Sequence, residues 1–156
     1  MKDVLLIAHT PSGNLEKIAG AIEEAIADLI RENALELRLQ RSNPKDLDWP
    51  RLAKADGIIF LTPENFGYMS GALKDLFDRV YIDLLDKHQG KPYLLIVRAG
   101  SDGTGTVQAV ESILTGLRWR ATNEAVVLQG DFDTSFPAGA AEFAAAFAAG
   151  LEQGIF

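Results

Sequence analysis

Hydrophobic positions follow two alternating patterns along this chain. Short continuous apolar runs, of which residues 4–8 are the first, are typical of strands buried on both faces. Between these runs, apolar residues recur at spacings of three and four, as over residues 15–30, which is typical of amphipathic helices. The patterns predict strands near residues 3–9, 34–40, 56–62, 92–99 and 124–130, a helix after every strand but the second, and a helical turn near residues 51–54.

This alternation of strands and helices predicts an α/β protein. Because βαβ units cross over with a right hand, the strands form a parallel sheet with helices on both faces, a three-layer doubly wound fold. We expect five strands in the order 2-1-3-4-5. The second strand lies at an edge, since Leu35, Leu37 and Leu39 alternate with polar residues. Ligands of such sheets bind beyond the carboxyl ends of the strands where the order reverses, here between strands one and three.

Composition and charge disfavour or exclude several classes of function for this chain. The 156 residues are the length of one domain and contain no linker or repeat, so we expect residues 1–156 to form a single domain. A net charge of −7 disfavours nucleic acid as a partner. The absence of cysteine excludes disulfide scaffolds, cysteine nucleophiles and thiolate metal sites. No apolar run has the length of a signal sequence or membrane span, so the pattern favours a cytoplasmic protein without membrane insertion.

The loop after the first strand carries hydroxyl and amide side chains directly before a helix. A helix N-terminus presents unpaired backbone N–H groups and the positive end of its dipole, so this loop can hold a phosphate without a lysine or arginine. An ordinary capped helix, with Ser12 as the cap, explains the same residues. The loop is neither a Walker A motif nor a dinucleotide fingerprint. Its candidate binding residues are Thr10, Ser12, Gly13, Asn14 and Leu15.

The loop after the third strand is aromatic. We expect Phe66 to form a flat wall beside a ligand, whereas Met69 fits better as a side chain packed onto the following helix. Gly67 allows the backbone to approach a ring closely. The candidate binding residues of this second loop are Pro63, Glu64, Asn65, Phe66 and Gly67.

The loop after the fourth strand is rich in glycine. Free backbone groups in a pliable turn can hydrogen bond the edge of a heterocycle, although such clusters are also common in ordinary loops. Its candidate binding residues are Gly100, Ser101, Asp102 and Gly103. Together, a phosphate socket without a cationic side chain, an aromatic wall and a polar backbone edge outline a site for flavin mononucleotide (FMN).

Two motifs resemble those of the flavodoxin-like FMN-binding superfamily. Residues 10–14 are similar to its hydroxyl-rich phosphate signature, and residues 62–74, Thr-Pro-Glu-Asn-Phe-Gly-Tyr-Met-Ser-Gly-Ala-Leu-Lys, are most similar to NAD(P)H-dependent FMN reductases and quinone reductases. The resemblance implies a flavodoxin-like fold with FMN as the cofactor. Leu15 stands where the family usually has threonine or serine, so one hydroxyl donor is lost and we expect looser FMN binding.

Three functions remain open from the sequence. The resemblance implies an oxidoreductase that takes electrons from NAD(P)H through FMN to a quinone or similar small-molecule acceptor. The flavin carries such chemistry, so we name no catalytic residue and no metal site. The alternatives are an electron carrier steered to a basic redox partner protein by the net charge of −7, or a non-catalytic binding domain that has lost tight FMN binding. A homodimer is a further expectation.

Overall fold

A parallel sheet lies between two layers of helices in the computed structural model, which describes all 156 residues. Its strands are β1 (Lys2–Ala8), β2 (Leu37–Ser42), β3 (Gly57–Pro63), β4 (Pro92–Ala99), β5 (Arg120–Ala121) and β6 (Val126–Gln129). Its helices are α1 (Gly13–Asn33), α2 (Trp49–Lys54), α3 (Gly71–Leu84), α4 (Thr104–Gly116) and α5 (Ser135–Glu152). The order β2-β1-β3-β4-β5, with β6 also paired to β4 and every pairing parallel, confirms the predicted fold class.

Two boundaries differ from the sequence prediction. Strand β2 begins at Leu37 instead of near residue 34, because α1 continues to Asn33 and Ala34 ends it in the left-handed conformation with φ 51°. The fifth strand is divided. Arg120–Ala121 pairs with the start of β4 and Val126–Gln129 pairs with its end, and between them the Thr122 hydroxyl donates to the carbonyl of Tyr93. The helical turn predicted near residues 51–54 is the end of α2.

The sheet separates two hydrophobic clusters. Leu5 and Ile7 of β1 face the layer of α2, α3 and α4, whereas Val4, Leu6 and Ala8 face α1 and α5. Strand β3 is buried along its whole length. Burial on both faces leaves polar groups to emerge only at the strand ends, where the loops begin. None of the five helices combines the length and hydrophobicity needed to cross a bilayer.

Helix α5 approaches the sheet closely at Gly57, the first residue of β3. A Cβ atom there would lie 2.9 Å from both the Phe147 Cζ and the Leu151 Cδ2 atoms. These contacts are shorter than van der Waals separation, so only glycine fits unless the ends of the Phe147 and Leu151 side chains shift.

We therefore expect Gly57→Ala to lower the free energy of unfolding by about 1–3 kcal/mol through overpacking. Gly20→Ala is the control, because a Cβ at Gly20 of α1 meets no atom within 4 Å. We expect that substitution to stabilise the protein by roughly 0.5–1 kcal/mol. Urea unfolding followed by circular dichroism measures both changes. A Gly57→Ala protein as stable as the wild type would show that the Phe147 and Leu151 side chains shift at no cost.

Candidate functional site

The first loop combines a helix cap with free donors. The Ser12 hydroxyl oxygen accepts a hydrogen bond from the Leu15 N–H at 3.3 Å, which confirms Ser12 as the N-cap of α1. This contact uses the oxygen and leaves the hydroxyl proton available. The N–H groups of Gly13 and Asn14, both exposed, have no acceptor within the chain. The loop can therefore cap its helix and still present three donors to an anion.

Leu15 lies on the opposite side of this turn. Its side chain is 4% exposed and packs in the cluster between the sheet and the α1–α5 layer. The residue contributes to the first loop through its backbone, whose N–H is already bound to Ser12.

An arginine from β2 reaches the first loop. The Arg41 Nη2 atom donates to the Thr10 hydroxyl oxygen at 3.1 Å and to Glu16 Oε2 at 2.5 Å, and Nη1 donates to Glu16 Oε1 at 2.8 Å. These hydrogen bonds from Arg41, together with one from Thr10, lower the pKa of Glu16 to about 2. The expectation of a socket without a cationic side chain is therefore wrong.

Sequence reasoning missed Arg41 because it lies 31 residues after Thr10. A signal was present in the alternation of β2, where Leu37, Leu39 and Arg41 share one face. Strand β2 runs parallel to β1, and Arg41 lies near its carboxyl end. A side chain on this face at that end lies beside the start of α1.

The second loop is a tight hairpin. Asn65 and Tyr68 exchange two backbone hydrogen bonds of 2.8 and 2.9 Å, and Phe66 and Gly67 between them have φ angles of 52° and 73°. This left-handed conformation is unfavourable for phenylalanine. The Phe66 side chain is fully exposed, whereas Met69 is 2% exposed, as expected for a side chain packed on the core.

The third loop is bound to the second through Glu64. The Glu64 Oε1 atom accepts from the Ser101 N–H, and Oε2 accepts from the Gly103 N–H, each at 2.9 Å. Two donors that we expected to face a ligand are thus taken by a carboxylate. The Asp102 carboxylate accepts from the Thr104 N–H at 3.0 Å. Glu64 therefore holds the third loop in shape.

The second loop also contacts the start of α4. A Cβ atom at Gly105 would lie 2.2 Å from the Gly67 carbonyl oxygen, a separation that excludes any side chain. The two loops therefore form one connected wall of the site.

His9 precedes the first loop without a polar contact for its ring. Its Nδ1 atom is buried without a partner, and its backbone N–H donates to the Leu61 carbonyl oxygen at 3.2 Å. Desolvation and the nearby Lys45 lower the pKa of His9, so its ring is neutral at pH 7.

The sequence of this chain is similar to those of known proteins. The model of the NADPH-dependent FMN reductase family matches residues 14–133. A flavodoxin of Aquifex aeolicus is 32% identical over 117 residues, which are 75% of this chain and 60% of that protein. An NAD(P)H-dependent FMN reductase of Saccharomyces cerevisiae is 34% identical over 79 residues, which are 49% of this chain and 39% of that protein. The chain thus spans less than two thirds of the length of either relative.

Solved structures agree on the fold. A flavodoxin from the domain Archaea has a TM-score of 0.76 at 15% identity, covering 97% of this chain and 99% of that one. The family match, which covers more than half of the chain, confirms the resemblance to the flavodoxin-like FMN-binding superfamily and FMN as the cofactor. The fold and the free N–H groups of the first loop are consistent with this match. The chain belongs to the NADPH-dependent FMN reductase family.

Proposed function

We propose that this protein is an NAD(P)H-dependent oxidoreductase that passes electrons through FMN to a quinone or a similar small acceptor. The observation that carries the proposal is the exposed N-terminus of α1, where the Gly13 and Asn14 N–H groups have no acceptor beside a hydroxyl-bearing loop. When bound, FMN supplies the hydride and electron transfer, and the chain supplies binding and orientation.

Each loop has a separate role in this proposal. The first loop binds the phosphate through Thr10, Ser12, Gly13 and Asn14, with Leu15 supporting the turn from the core. The second loop places Phe66 against the isoalloxazine ring, in a turn formed with Pro63, Asn65 and Gly67. The third loop, at Gly100, Ser101, Asp102 and Gly103, borders the pyrimidine edge, and Glu64 fixes its shape.

The electron-carrier function is the second candidate. A net charge of −7 favours encounter with a basic redox protein, and the similar protein of Aquifex aeolicus is a flavodoxin. The third candidate, a binding domain without catalysis, requires weak FMN binding. With the oxidoreductase function we also propose a cytoplasmic location and a homodimer, and both stay predictions.

The direct test is purification, addition of FMN and an absorbance scan. We expect a visible flavin spectrum, release of FMN on denaturation, and oxidation of NADH or NADPH when a quinone is present without any partner protein. FMN binding without such oxidation would favour the electron carrier. No change in tryptophan fluorescence or melting temperature at high micromolar FMN would favour the non-catalytic domain.

A charge placed at the cap tests the phosphate position. Aspartate and asparagine both cap helices well, so Ser12→Asp and Ser12→Asn are expected to preserve the stability of α1. Only the aspartate opposes a phosphate by like charge. We expect Ser12→Asp to raise the Kd of FMN at least about tenfold relative to Ser12→Asn.

Riboflavin, which has no phosphate, is the ligand control for this pair. Its Kd should differ by less than about twofold between the two variants, which is within about 0.4 kcal/mol. An equal loss of FMN and riboflavin in Ser12→Asp would place the phosphate elsewhere. Fluorescence titration measures all four constants.

The role of Glu64 is tested by Glu64→Gln. A glutamine offers one acceptor oxygen and a donor amide, so either the Ser101 or the Gly103 N–H loses its acceptor. We expect amide exchange of both residues to accelerate and FMN affinity to fall roughly tenfold, the equivalent of about 1–2 kcal/mol. Glu124→Gln is the charge-matched control, since Glu124 is exposed and forms no side-chain hydrogen bond. Equal effects of the two variants would mean that only net charge matters.

A further inference from the structure

We propose that Arg41 determines the preference of this site for a phosphorylated flavin by neutralising Glu16 at the phosphate loop. The inference rests on the proposed function, because it concerns the phosphate end of the same site. It assigns Arg41 as a positioning residue that acts through Glu16.

Glu16 places a negative charge against the first loop. It lies in the first turn of α1, and its Oε2 atom accepts a hydrogen bond from the Thr10 hydroxyl at 2.9 Å. A pKa of about 2 keeps this carboxylate ionised at neutral pH. An unpaired carboxylate at this position would repel a phosphate dianion bound to the same hydroxyl.

Arg41 removes this repulsion with a bidentate pair. Its two terminal nitrogens contact the two Glu16 oxygens at 2.8 and 2.5 Å, a geometry that matches the guanidinium fork to the carboxylate. Glu23, two turns further along the same face of α1, also accepts a hydrogen bond from Nη1 at 2.8 Å. The Arg41 side chain is only 22% exposed, so the guanidinium is held in place by β2 and by both glutamates.

The pair also allows the Thr10 hydroxyl to change its acceptor. In the structure, this hydroxyl donates to Glu16 and accepts from Arg41. To donate to a phosphate instead, Thr10 has to turn its proton away from Glu16. Because Arg41 already contacts both Glu16 oxygens, the carboxylate keeps hydrogen-bond partners after that turn. Without Arg41, binding of a phosphate would leave the Glu16 charge with water as its partner and close to the phosphate.

A double-mutant cycle tests the inference. The Kd values of FMN and riboflavin are measured for the wild type, Arg41→Gln, Glu16→Gln and the double variant. We expect Arg41→Gln to weaken FMN at least about tenfold and riboflavin by less than about twofold. In the double variant, FMN affinity is expected to return to within about threefold of the wild type, since neither charge remains. Added salt should reduce the defect of Arg41→Gln by screening.

Two further variants separate charge from folding. Arg41→Lys keeps the positive charge, and we expect it to retain FMN binding within about fivefold of the wild type even if Arg41→Gln folds poorly. Arg38→Gln removes an arginine from the same strand that pairs with Asp3, at the opposite end of β2, and should leave both flavin affinities unchanged.

Each other result overturns the inference. If Arg41→Gln weakened the binding of FMN and riboflavin equally, the pair of Arg41 and Glu16 would have only a structural role. A double variant as weak as Arg41→Gln would mean that Arg41 acts on phosphate binding by a route other than Glu16. A wild-type protein that binds neither flavin would overturn the proposed function together with this inference, whereas the first two results leave the proposed function intact.

Discussion

Burial of the central strands on both faces is the constraint on which the site depends. Strands β1, β3 and β4 use their backbone polar groups in the ladder and their side chains in two hydrophobic clusters. Unsatisfied donors and acceptors can then appear only where strands end and helices begin. Because all strands run in parallel, the three loops that follow β1, β3 and β4 lie at the same edge of the sheet. The polar chemistry of the chain is concentrated at that edge.

Side chains at this edge act mainly by shaping the backbone. Ser12 binds one N–H at the start of α1, which leaves the two preceding N–H groups free. Glu64 binds two N–H groups of the third loop and ties it to the second. The close approach of Gly105 to the Gly67 carbonyl then connects the hairpin to α4. A cofactor would therefore meet preorganised backbone groups, whose alignment requires no further ordering on binding.

An acidic protein that binds an anionic cofactor needs local compensation. The chain has a net charge of −7, and Glu16 and Glu23 both lie on α1, whose N-terminus faces the proposed phosphate position. The helix dipole supplies partial positive charge there, and Arg41 beside Thr10 pairs with both glutamates. This balance explains how a loop without a lysine or arginine of its own can accept a phosphate.

The sequence by itself determined the order of elements, the parallel sheet and the Ser12 helix cap, because apolar periodicity and cap residues act over a few neighbouring positions. It also located the three loops, since each follows a buried strand. Only the tertiary structure decided the partners across those loops. Arg41 meets Thr10, and Glu64 meets Ser101, over separations of 31 and 37 residues. The division of the fifth strand likewise depends on pairing with the two ends of β4, which no local pattern in a single sequence specifies.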